Sequence, residues 1–151
     1  MNFKHTKMQH RISFPEAAPG AYKALLSLET YMASTNIDPV HKELIKIRAS
    51  QINGCAFCIN MHTAEARKKN ISERHIYLLN AWRETDFYTD AEKAILAFTE
   101  AVTLISKHVP DEVYADLAQH FDEAYIATLL MMIITINSWN RMAIATGLRV
   151  A

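Results

Sequence analysis

Glycine and proline are scarce, at three and four residues in a chain of 151. Asn53-Gly54 follows a helical pattern, and no Asn-Gly or Asp-Gly pair separates alternating apolar segments. That is poor material for a sheet and good material for helices. No charge of one sign dominates, because 16 basic residues balance 16 acidic ones. Nothing electrostatic therefore points to nucleic acid or an anionic membrane. A near-neutral chain tends to associate, so a homo-oligomer is expected. Long apolar runs are missing as well. The longest, Tyr125 to Ile136, includes two threonines and is too short to cross a bilayer. No apolar stretch follows Lys4, so no secretory leader is expected at Met1–His5 and the protein reads as soluble and cytoplasmic. Only two cysteines occur. In a reducing compartment such a pair is more often catalytic or metal-binding than a structural bridge.

What is present is helical. Half the residues are apolar, which excludes a disordered chain. No repeat, linker or low-complexity tract divides residues 1–151, so the expectation is a single all-α domain. Leu25, Leu28 and Met32 share a helical spacing within Pro19–Ser34. Asp38-Pro39 reads as an N-cap with proline in the first turn, and Gly54 as the stop. A second helix runs from about Cys55 to Lys69, ended by Asn70. Ser72 caps a short one. Thr89 and Glu92 form a capping box that opens a helix toward Lys107. Pro110-Asp111 begins a brief helix, and the last spans about Asp122 to Thr146 before Gly147. Its segment from Tyr125 to Ile136 is apolar nearly all round, which predicts burial on every side, centrally or by partner subunits. Met131 and Met132 fit as gap fillers there.

The chemistry concentrates between Glu43 and His62. Cys55, Cys58 and His62 are related as i, i+3 and i+7, so one helix face carries two thiols and an imidazole. Cysteines one turn apart can close a disulfide. Cys55 lies at a helix N-terminus, where free N–H groups favour a thiolate. His62 is one turn beyond Cys58 and can take its proton. Glu43 interrupts an apolar stripe between Val40 and Ile47, and a buried carboxylate needs a partner. A helical hairpin turning at Gly54 brings it to His62, directly or through water.

The plainer alternatives are two small core cysteines, a structural histidine, and Glu43 paired with Lys46 on a solvated face. A zinc site is a rival, since the same four residues are possible ligands. No second Cys-x-x-Cys or histidine pair supports it, and zinc would idle the thiols. No metal and no cofactor is therefore expected. Ile59 rather than His follows Cys58, which excludes covalent haem, and no strand-helix-strand pattern supports a thioredoxin-like fold. His5, His10, His41, His75, His108 and His120 show no paired spacing and read mostly as surface residues. Trp139, Asn140 and Arg141 read as structural, fixing a helix or subunit contact.

The spacing of Glu43, Cys55, Cys58 and His62 resembles the alkylhydroperoxidase AhpD branch of the carboxymuconolactone decarboxylase superfamily. That pattern has a Glu twelve residues before a Cys-x-x-Cys pair and a His four residues after it. Trp139-Asn140-Arg141 matches a segment of its last helix. Phe57 stands where the best-known members carry a histidine between the cysteines. The resemblance implies an all-helical fold assembled as trimers or hexamers. It implies a peroxide substrate attacked by Cys58, with Cys55 resolving and Glu43 and His62 relaying protons. An external dithiol, of thioredoxin or lipoyl type, would restore the thiols. Two competing functions remain: a redox-responsive binding or regulatory protein, and the superfamily's decarboxylase chemistry, which needs no thiol pair. A helical oligomer with incidental thiols is the blandest alternative.

Overall fold

The computed structural model describes residues 11–150, and every regular element among them is helical. The order is α1 (Phe14–Ala17), α2 (Pro19–Ser34), α3 (Pro39–Asn53), α4 (Ala56–Lys68), α5 (Glu73–Tyr77), a 3₁₀ segment (Leu79–Glu84), α6 (Asp90–Thr103), a 3₁₀ turn (Ile105–Lys107), α7 (Asp111–His120) and α8 (Glu123–Thr146). The caps follow the local chemistry. The Asp38 carboxylate accepts from the Val40 N–H, and Thr89 and Glu92 close their capping box. Gly54 and Gly147 end α3 and α8 in the left-handed region, at φ 70° and 75°. Histidines 5 and 10 and the leader reading at Met1–His5 lie outside the described residues.

Helix α3 is the centre of the molecule, packed by α4, α6 and α8. One side of it, through Ile45 and Ala49, joins Ile95, Met132, Ile133 and Ile136 in the main core. The other side, through Leu44 and Ile47, meets Ala66, Leu79, Trp82 and Leu96. Each fully buried aliphatic side chain contributes about 1.5–3 kcal/mol of transfer free energy. A helix committed on two sides is therefore held rigidly, and this is the helix that carries Glu43.

Two local expectations need correction. Helix α6 stops at Thr103, and the chain continues as a 3₁₀ turn to Lys107. Cys55 is the N-cap of α4, at the helix N-terminus as expected. Within the chain Leu130 and Ile134 of α8 face outward, which leaves cover by partner subunits as the alternative for that side. His41 and His75 are half-buried rather than superficial. The His41 ring lies 2.9 Å from the Tyr125 hydroxyl, and His75 sits edge-on against Phe87 and Tyr88. Helix α1 and the Leu79–Glu84 segment carry no sequence signal strong enough to have announced them. No described helix is long and apolar enough to cross a membrane.

Candidate active site

The α3–α4 hairpin builds the site. After Gly54, the Cys55 N–H returns to the Ser50 carbonyl at 3.0 Å, which fixes the tight reversal. The Cys55 sulfur accepts from the Cys58 N–H at 3.4 Å, so the first thiol also caps the helix that carries the second. The two sulfurs are bonded, with Cα atoms 5.4 Å apart. A ladder of amides ties this turn to α8. Asn53 donates to Asn137 at 3.0 Å and to Asn140 at 2.9 Å, and Asn140 donates to Ser50 at 3.0 Å. Asn140 is fully buried, so the ladder is shielded from competing water.

Running back along α3 places Glu43 opposite the far half of α4. Its carboxylate is 1% exposed. One oxygen accepts from Lys69 at 2.5 Å; the other lies 3.8 Å from His62 Nδ1 with no hydrogen-bond partner of its own among the described residues. That second distance is beyond direct hydrogen-bond reach. Glu43 does not pair with Lys46. Lys46 is itself buried and meets Glu29 of α2 at 3.3 Å. Burial, with the positive charges of Lys46 and Lys69 adding to it, lowers the His62 pKa to about 3. His62 is therefore a neutral imidazole at neutral pH, able to accept a proton. The same lysine field that disfavours a cation at His62 favours an anion beside it.

Cys58 and His62 both reach the wall of a cavity of about 630 Å³, whereas Cys55 does not. The rest of the wall is largely apolar and aromatic: Phe14, Tyr22, Phe57, Met61, Trp139 and Met142 among others. Trp139 stands edge-on to Tyr22, with ring centroids 5.7 Å apart. The size lies within the ~300–1,000 Å³ range of small-molecule pockets. One side of the cavity comes from Ile12–Pro15, and Arg11 fastens that segment to the end of α8 through Thr146 and Ala145. No cluster of three or more His, Cys, Asp or Glu side chains able to hold a metal occurs among the described residues.

Residues 19–101 match the model of the carboxymuconolactone decarboxylase family. The chain belongs to that family. The Bacillus subtilis protein YdfG, itself uncharacterized, is 50% identical over 95% of this chain and 99% of its own length. A solved structure from Agrobacterium tumefaciens, of unknown function and provisionally named an antioxidant defence protein AhpD, superposes with a TM-score of 0.92. Its identity is 40%, covering 95% of this chain and 99% of that one. The debrominase Bmp8 shares the fold at a TM-score of 0.81 and 23% identity, over 90% of this chain and 74% of its own.

Within this family member, the four residues singled out by spacing converge on one hairpin, with Cys58 and His62 on the cavity and Glu43 behind them. The spacing did not reveal Lys46, Lys69, Glu29 or the cavity role of Trp139. Lys46 had one legible signal: it lies between Ile45 and Ile47, inside a run from Glu43 to Ile47 that is buried throughout. Lys69 had none, since a lysine at a helix C-terminus ordinarily points to solvent. Asn140 does fix α8 to α3 as expected for a structural residue. Arg141 turns back to Asn137 on its own helix.

Proposed function

We propose that the protein reduces organic hydroperoxides through a Cys55–Cys58 dithiol–disulfide cycle. The observation that carries this reading is the asymmetry of the pair: Cys58 lies on the cavity wall beside His62, and Cys55 is bonded to it from behind. In the reduced protein the Cys58 thiol ionises in the positive field of Lys46 and Lys69. The neutral His62 imidazole relays its proton toward the second Glu43 oxygen, 3.8 Å away, rather than holding it as an imidazolium. The thiolate attacks the terminal peroxide oxygen, a sulfur–oxygen bond forms, and the alcohol leaves. Cys55 then displaces water from the Cys58 sulfenic acid to restore the disulfide. An external dithiol of thioredoxin or lipoyl type returns two electrons. The reducing cytoplasm suits such a cycle, and the outward Leu130 and Ile134 on α8 suit a trimer or hexamer. The test is consumption of cumene hydroperoxide by the purified protein with excess dithiol. Many turnovers per chain support the enzyme. A single stoichiometric oxidation favours a redox-responsive regulator, and no oxidation of Cys58 removes both.

The size and aromatic lining of the cavity favour one second reading. Bmp8 is a debrominase, and a cysteine-substituted form of it has been solved with 2,3,4-tribromopyrrole bound. The same dithiol could replace a ring bromine by hydrogen, releasing bromide as the pair becomes a disulfide. Bromide release from a bromopyrrole, in place of peroxide consumption, would select this chemistry.

A further inference from the structure

Lys46 is a charged side chain in a place where charge is expensive. It is 6% exposed and lies on the wall of the apolar cavity together with Cys58 and His62. An ammonium carries three N–H donors. Only one acceptor meets it among the described residues, the Glu29 carboxylate at 3.3 Å, at the long edge of hydrogen-bond range. Glu43, one turn earlier on the same helix, does not saturate it, because Lys69 holds one oxygen and the other stands toward His62. The ammonium thus keeps donor capacity in the cavity whose wall also carries the reactive sulfur. Among the charged groups around His62, Lys46 acts on it most strongly, ahead of Lys69, Glu65 and Lys42.

Peroxide cleavage has an unmet need at this spot. As sulfur attacks the terminal oxygen, the oxygen–oxygen bond breaks and its electron pair departs on the second oxygen. Sulfur is oxidised to sulfenic acid, and the leaving group is a basic alkoxide until it gains a proton. A fixed cation in a water-poor site stabilises such developing charge far better than water does. We propose that the Lys46 ammonium donates to the leaving peroxide oxygen, making Lys46 a catalytic residue for oxygen–oxygen cleavage. This inference rests on the peroxidase reading above. The proton that finally neutralises the alkoxide is the one the Cys58 thiol released, so the sum is thiol plus hydroperoxide giving sulfenic acid plus alcohol. Glu29 holds the ammonium in place between turnovers. The substrates helped most are those with the most basic leaving groups, alkyl hydroperoxides rather than peracids.

The experiment measures Cys58 oxidation in the reduced protein by rapid quench, using ring-substituted cumyl hydroperoxides of near-constant shape and graded leaving-group acidity. Diamide, which oxidises dithiols without an oxygen–oxygen bond, serves as the control oxidant. Lys46→Met should slow peroxide oxidation by about 10²-fold, steepen its dependence on leaving-group acidity, and slow diamide oxidation far less, by the loss of the field that favours the thiolate alone. Lys46→Arg should keep the shallow dependence, as should Glu29→Gln, which removes only the resting partner. An unchanged dependence in Lys46→Met, an equal loss with diamide, or a Glu29→Gln protein that behaves like Lys46→Met would each overturn the proposal. Wild-type protein that oxidises Cys58 with diamide but with none of the peroxides would sink the peroxidase reading and this inference together. Wild-type activity with an unaltered Lys46→Met dependence would sink this inference alone.

Discussion

Acid should weaken this fold through His62 in a way that can be isolated. Burial, reinforced by Lys46 and Lys69, lowers its pKa from 6.5 to about 3. Above pH 6.5 the imidazole is neutral whether the chain is folded or not, and it contributes nothing to the pH dependence. Between 6.5 and 3 the unfolded chain binds a proton that the folded chain refuses. Stability then falls as pH falls, by about 1.4 kcal/mol for each pH unit in that window. From pH 6.5 to 4.5 the loss is about 2 kcal/mol, because the unfolded imidazole is only half protonated at the start of the window, and that is a sizeable part of the roughly 5–15 kcal/mol that holds a domain folded. His62→Gln keeps a polar side chain of similar reach but cannot titrate. Urea unfolding of both proteins, with the disulfide intact and at fixed chain concentration, measures the difference. The wild type should lose about 2 kcal/mol more than His62→Gln over those two units. Other titrating groups, His41 included, are common to both proteins and cancel. A stability difference that stays flat from pH 7 to 4.5 would refute the argument, because it would mean that His62 takes up protons equally well in both states.

Three further outcomes are expected. After one equivalent of peroxide, Cys55→Ser should hold a sulfenic acid on Cys58, because the cavity-facing sulfur reacts and its resolving partner is gone; a chemical trap read by mass spectrometry should find none in Cys58→Ser. Asn140→Leu should cost about 1–3 kcal/mol, since it removes the buried amide that joins Asn53 to Ser50 while Asn53 keeps Asn137 and Ser50 keeps the Lys46 carbonyl, and thermal unfolding would register the loss as a lowered Tm. Ile134→Glu together with Leu130→Glu should convert an assembly into smaller species in light scattering, whereas a wild type that is already monomeric at micromolar concentration would remove the basis for that change.

How far the sequence could be read depended on the range of the interaction involved. The Asp38 cap, the Thr89–Glu92 box and the two terminating glycines act within four residues, so their chemistry is visible in a short window. The hairpin that joins Glu43 to His62 was readable for the same reason: one glycine reverses two periodic helices, and their lengths then set which residues face each other. The ion pairs that complete the site were not. Lys46 reaches Glu29 on another helix, and Lys69 reaches Glu43 across the hairpin. Lysines and glutamates at those spacings look like ordinary solvated faces until the packing is known. Burial along α8 stays divided between two alternatives for a different reason. An apolar helix predicts that something covers it, but periodicity cannot say whether the cover comes from the same chain. Trp139 reads from the sequence as part of a structural helix contact with Asn140 and Arg141, and its place on the cavity wall was not legible because adjacent residues on a helix point about 100° apart and can serve different ends.

The fastening of Arg11 to Thr146 and Ala145 bears on how the protein is made. The cavity takes one wall from residues 12–15 and another from residues 139–148. Translation delivers the first wall before the α3–α4 hairpin and the second after it. While the chain is still being synthesised, the α3–α4 hairpin can form, since its contacts are local and such contacts close early. Its thiols then wait, adjacent and uncovered, until α8 arrives. During that interval the pair meets oxidants without the shape that later selects among them. Chemical competence thus precedes discrimination in the life of each molecule, and α8, synthesised after the hairpin, is the helix that confers it.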